Sequence, residues 1–212
     1  MPPLPHNSQP AVALSPISAQ EFSPEERALL LHLAHNSISS ALQHRELSLD
    51  PPTPHLAELR GAFTSLYLRG ELRGCVGYVL PASSVYRAVA ETARAAAFAD
   101  NRFSPVTENE APQLEIELSI LSPPQPILAE AIEVGRHGLL ISQHGCRGLL
   151  LPQVPVEREW DRTTFLEQTC RKAGLPPDAW RKGASILAFS AEVFGEKNAF
   201  ISPASTVGTF KG

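Results

Sequence analysis

Gly61-Ala62-Phe63-Thr64-Ser65-Leu66-Tyr67-Leu68, then Arg69-Gly70-Glu71, then Leu72-Arg73-Gly74-Cys75-Val76-Gly77-Tyr78-Val79, is the stretch that decides the fold. Two β-rich runs around a short glycine-containing turn predict a hairpin, closed by Pro81. With Gly70-Glu71 as the two-residue turn, Cys75 is expected opposite Leu66, and Arg73 opposite Leu68. Alternation along the second run puts Arg73, Cys75 and Gly77 on one face, and Leu72, Gly74, Val76 and Tyr78 on the other.

Outward from the hairpin, Ala82 to Phe98 is alanine-rich, with Val85, Val89 and Ala93 at helical spacing. Upstream, Ser23-Pro24-Glu25-Glu26 is a helix start: a capping serine, proline at the first helical position, and carboxylates at the positive end of the dipole. That helix fades before Asp50-Pro51-Pro52. Downstream, Gln113 to Leu121 alternates Leu114, Ile116, Leu118 and Ile120 against Glu115, Glu117 and Ser119, as a half-exposed strand does. Gly138–Ser142 and Arg147–Leu151 predict a second hairpin. Asp161 caps a helix running to about Ala173 and stopped by Gly174. Ser185 to Phe194 reads as a last strand. Strands paired as hairpins with irregularly placed helices predict an α+β fold with a mostly antiparallel sheet and flanking helices.

The chain has 212 residues, 43% of them apolar and 19% charged, enough for one domain with a core or two small subdomains. Residues 1–20, with five prolines and few large apolar side chains, read as a disordered tail; residues 197–212 form a C-terminal extension. A net charge of -4 argues against general attraction to phosphate, so nucleic acid is not an expected partner. Cys75, Cys146 and Cys170 are too few and too scattered for a disulfide framework or a zinc site. No apolar run spans a membrane and no signal peptide opens the chain, so a reducing cytoplasm is the expected compartment.

Glycine weakens a strand, so two glycines around one cysteine need a reason. Gly77 leaves a gap beside Cys75 on its own face. Gly74 leaves room for Tyr67. Arg73 sits roughly 7 Å from Cys75 at strand spacing, where a cation lowers a thiol pKa. Against this, a free cysteine is commonly a small buried hydrophobe. Glu115 and Glu117 share a strand face and suit an oxygen-loving metal or acid–base work, pairing with Arg73 or Arg102 where the strands are neighbours, or a solvated surface. Arg102, in the polar turn Asp100-Asn101-Arg102-Phe103, suits a carboxylate or phosphate at a cleft mouth. His137, in Gly135-Arg136-His137-Gly138, is the candidate base for the thiol, or a loop histidine. Gln153 offers hydrogen bonds beside the prolines that mark a rigid connection. His32 with His35, and His144 with Cys146, lack further ligands, so no metal site is expected there, and the sequence does not say which cofactor, if any, is used. No GxGxxG, P-loop, HExxH or GxSxG motif is present.

Leu72-Arg73-Gly74-Cys75-Val76-Gly77 resembles the LRGCIG signature of the AMMECR-type domain, the protein A component of AmmeMemoRadiSam systems. Ala97–Phe103 is similar to the family's AAFxDPRF segment, Glu110–Leu121 to its ELPxLEIEISVL strand, and Gly148–Val154 to its GLLLPQV. Trp160-Asp161 with Phe165-Leu166, and Lys172-Ala173-Gly174-Leu175-Pro176, complete the order, so the resemblance spans about Phe22 to Phe194 and makes 21–196 the domain. Asn101 stands where the family has proline, and Val76 where it has isoleucine. The resemblance implies two unequal subdomains around a cleft, and company from a MEMO-type protein and a radical-SAM protein. It fixes no reaction. Two readings stand: a cysteine-dependent enzyme or enzyme component acting on a small molecule or modified protein group around Leu72–Gly77, and a non-catalytic module that docks a protein partner.

Overall fold

In a computed structural model the described residues are 21–196. The expected tail and C-terminal extension lie outside them. The first helix, α1 (Pro24–Leu42), starts as its sequence dictates: Ser23 Oγ accepts from the Glu26 N–H at 3.2 Å, and Glu26 accepts from the Ser23 N–H at 3.0 Å. The hairpin follows as β1 (Leu59–Leu68) and β2 (Glu71–Ser84). β2 runs past Pro81, so α2 (Val85–Phe98) begins later than its alanine pattern suggests, on a Ser84 cap. The chain continues through β3 (Leu114–Leu121), β4 (Gln125–Pro126), β5 (Gly138–Gln143), β6 (Cys146–Leu150), the short α3 (Gln153–Glu157), α4 (Arg162–Lys172), β7 (Ser185–Phe189) and β8 (Ala191–Gly195).

These strands build two antiparallel sheets, not one. The first has the order β2-β1-β3-β8 and the second β4-β7-β5-β6. α1 and α2 cover one face of the first sheet, over a core that includes Leu30, Leu66, Val89, Ile116, Leu118 and Phe194. α4 packs on the second sheet, over a smaller core with Leu139, Ile141, Phe165 and Cys170. The two halves are therefore unequal, as expected. The single strand read over Ser185–Phe194 is broken at Ser190: β7 belongs to the second sheet and β8 to the first. Ser122 and Ser190 tie the crossing together, with Ser122 N–H donating to the Ser190 carbonyl at 2.9 Å and Ser190 N–H to Ser122 Oγ at 2.9 Å.

The hairpin register also departs from its simplest reading. The turn is Arg69-Gly70, both left-handed at φ 53° and 89°, as a tight hairpin turn of mirror-image type demands. Tyr67 pairs with Leu72 but Leu66 with Gly74, so Arg73 is an extra residue in β2. Because of this bulge Cys75 faces Ser65, not Leu66, and Arg73 has no partner directly across β1.

Candidate functional site

The helix-covered face of the first sheet takes Ala62, Thr64 and Leu66 of β1, and Thr64 shares a 2.8 Å hydrogen bond with Thr92 of α2. Alternation therefore sends Phe63, Ser65 and Tyr67 to the opposite, helix-free face, together with Cys75 and Gly77 of β2, and Glu115, Glu117 and Ser119 of β3. All are partly exposed. Cys75, Ser65 and Glu117 stand in one cross-strand row, and Ser65 Oγ donates to Cys75 Sγ at 3.3 Å. Glu115 is one row on, across from Tyr67. The two glutamates do share a face, as their spacing implies.

β2 is an edge strand, so its outer N–H and C=O groups need partners from elsewhere. The turn after α2 supplies them. Asp100 accepts from the Cys75 N–H at 2.9 Å, and Arg102 donates to the Cys75 carbonyl at 3.2 Å. Arg102 and Asp100 are themselves joined, guanidinium to carboxylate, at 2.7 and 2.9 Å. This pairing holds the Asp100 carboxyl down at about 2 and raises the Arg102 guanidinium further. The residue that carries the thiol is thus clamped on its backbone by an ion pair, one member of which, Arg102, is substantially exposed.

Arg73 is not the thiol's cation. It donates to Glu110 at 3.1 and 3.2 Å, to the Ser104 carbonyl at 2.8 Å and to the Pro105 carbonyl at 3.3 Å. The bulge that turns it toward this loop also removes it from the cysteine's face. Arg102 takes that place: it favours the thiolate, while Asp100 and Glu117 oppose it. The net direction is upward. Burial is the largest cause and pushes the Cys75 thiol above its ordinary value, against the hydrogen bond from Ser65 and the charge of Arg102. The primed thiolate expected from Arg73 is replaced by a thiol that rests neutral.

The glycines have structural work. A Cβ on Gly74 would stand 2.2 Å from the Ala96 carbonyl oxygen, so Gly74 lets β2 meet α2 and has nothing to do with Tyr67. A Cβ on Gly77 would stand 2.3 Å from the Phe63 ring, so the expected gap beside Cys75 is filled by that ring. His137 is not brought to the cysteine either. It precedes β5 in the other half and is absent from the groups that act on the thiol. It lines a cavity at the junction of the two sheets with Arg60, Ser122, Gln125 and Phe189. A second hollow, between the end of β2 and the β5–β6 hairpin, is lined by Tyr78, Leu80, Leu140 and Leu149. Neither of these two hollows is lined by Cys75, which stands on the helix-free face of the first sheet. Gln153 is exposed at the start of α3.

Of the residues singled out in the sequence, the structure brings Cys75, Arg102 and Glu117 together, and it adds Ser65 and Asp100 beside them. Ser65 was hidden by the bulge. Asp100 was legible: an aspartate closing a helix beside an edge strand is a ready acceptor for an orphan N–H. Among the described residues, Glu21, His55 and Glu58 lie close enough to share a metal ion. Arg60 already bridges Glu21 and Glu58, which leaves a cation little reason to enter. No helix in the described residues is long and apolar enough to cross a membrane.

Residues 31–194 match the family model AMMECR1. A protein of Methanosarcina acetivorans is 44% identical over 159 residues, covering 72% of this chain and 79% of its own. Protein MK0488 of Methanopyrus kandleri is 40% identical over 190 residues, covering 84% and 92%. Among solved structures, the uncharacterized protein PH0010 from Pyrococcus horikoshii is similar with a TM-score of 0.63 and 38% identity, over 80% of this chain and 90% of that one.

Proposed function

The chain belongs to the AMMECR1 family, and from that premise we propose that it is a cysteine-dependent enzyme or enzyme component that works on the open face of the first sheet. The observation that carries this reading is the row Cys75–Ser65–Glu117, with Ser65 Oγ 3.3 Å from the sulfur and Arg102 closed over the backbone of the same cysteine. Cys75 is the nucleophile. It rests as a thiol, and a bound substrate that excludes water strengthens its interaction with Arg102. The sulfur adds to a carbonyl carbon of a small molecule or modified protein group, the C=O π pair moves onto the carbonyl oxygen, and the thiol proton ends on that oxygen by way of the Glu117 carboxylate, while Ser65 O–H stays directed at the sulfur. Arg102 offsets the charge that develops on sulfur. Arg73, Gly74 and Gly77 hold the strand rather than touch the substrate.

One observation favours a second reading, a docking module for a protein partner such as a MEMO-type or radical-SAM protein. Burial dominates the Cys75 titration, and both flanking glycines are spent on packing. The two readings part on one experiment. In a Cys146→Ser background, which removes the exposed thiol, the pH–rate profile of Cys75 alkylation is recorded for the parent and for Arg102→Gln. The enzyme reading expects a reactive Cys75 whose apparent pKa rises when Arg102 is neutralised. An unreactive Cys75 in native protein at pH 9, with partner capture unchanged by Cys75→Ala, leaves only the docking reading.

A further inference from the structure

The cavity at the sheet junction does not belong to the Cys75 row. It holds about 300 Å³, the lower end of the range for small-molecule sites. Its position follows from the fold: it opens where β3 leaves the first sheet at Ser122 and where the chain crosses between sheets at Ser190. Its lining is of two kinds. Phe189, Ala188, Ile127 and Pro123 give it an apolar wall. Its polar groups are few, and their state is set by neighbours.

His137 accepts from the Glu133 N–H through Nδ1 at 3.0 Å. That bond places the ring proton on Nε2, which meets no acceptor among the described residues. Burial and Arg136 keep the imidazole below its ordinary value, so it stays neutral near pH 7 and donates one hydrogen bond. Ser122 Oγ accepts from the Ser190 N–H, which leaves its own O–H to donate. Arg60 is buried and bonded to both Glu21 and Glu58. With two carboxylates on one guanidinium, no positive charge is left over for an anion. The rim carboxylate of Glu21 remains an acceptor.

We infer that this cavity binds an uncharged planar ring amide: a flat heteroaromatic whose carbonyl accepts from His137 Nε2–H and Ser122 O–H, whose N–H faces Glu21, and whose ring lies against Phe189. Desolvating a neutral ring costs far less than desolvating an ion, and the donors and the acceptor of the wall match the two sides of an amide edge.

The test uses the full chain with nicotinamide and uracil as probes and nicotinate as the charged control. Affinity is read by calorimetry, and the His137 ring nitrogens are followed by long-range ¹H–¹⁵N spectra. At least one neutral probe shifts the Nε2 resonance and binds about tenfold more tightly than nicotinate. His137→Phe loses about tenfold, while His137→Gln, which returns an N–H near the Nε2 position, stays within about threefold of the parent. Cys75→Ala binds as the parent does, so failure of the thiol chemistry leaves this result untouched. Nicotinate binding as tightly as the neutral probes, or no Nε2 shift with either neutral probe, overturns the inference.

Discussion

At the scale of the residue, the informative contrast is between Arg73, which the sequence sets beside the thiol, and Arg102, which it sets in a polar turn. Arg73 is nearer to Cys75 along the chain, and Arg102 is 27 positions away. The bulge reverses their roles. Arg73 spends its donors on Glu110 and two loop carbonyls, so Arg73→Ala is expected to cost about 1–3 kcal/mol of stability, the penalty for orphaning partly buried acceptors. It should leave the Cys75 titration where it is. Arg102→Ala should do the reverse at the thiol, moving its apparent pKa further up. Alkylation kinetics alongside urea denaturation of both variants separates the two effects. A thiol pKa that follows Arg73 instead would return the site to its simplest sequence reading. Ser65→Ala belongs to the same test. Loss of a hydrogen bond to sulfur removes a cause that lowers the pKa, so reactivity at pH 8 should drop in that variant too.

At the scale of the element, the unit is the edge of β2 and the turn laid along it. Glu110 is held at about 2 by Arg73 and Thr107, as Asp100 is by Arg102. Both carboxyls are depressed on folding, so each contributes stability that is full above its unfolded value near 4 and is lost as pH falls toward 2. With Arg102 partly in water, roughly 1–2 kcal/mol per group is a fair scale after screening. Protection of the Cys75 amide against hydrogen exchange should therefore fall over that window, and Asp100→Asn should lower it already at neutral pH. Unchanged protection down to pH 2.5 would show that the turn is held by something else. Gly74 makes the same point sterically. A methyl there meets a backbone carbonyl, so Gly74→Ala is expected to cost about 1–3 kcal/mol or more, measured as a lowered denaturation midpoint. The elements themselves were legible in the sequence, because capping boxes, alternation and left-handed turn residues are local signals. The bulge was not. Nothing in Leu72-Arg73-Gly74 states that one residue is surplus, since that depends on what docks against the strand's outer edge.

At the scale of the whole molecule, the hairpin pattern pointed to the α+β class and the family resemblance implied two unequal halves, but neither announced two sheets. Ser185–Phe194 contains no glycine or proline, and a run without a breaker gives no sign that the chain changes sheet at Ser190. Only the competition of two cores for one strand decides that. The consequence is mechanical: β7 and β8 are separated by a single residue, so neither sheet releases its strand without pulling on the other. The halves should therefore unfold as one unit despite having separate cores. Phe165 lies in the smaller core with 0% exposure, and Phe165→Ala is expected to cost about 3–5 kcal/mol. Under coupling, that loss appears in the slowest-exchanging amides of β1 and β3 as well as in β5, and urea denaturation keeps a single transition. If the β1 and β3 amides hold their parent protection while those of β5 lose theirs, the halves are independent folding units and the Ser122–Ser190 crossing is only a tether.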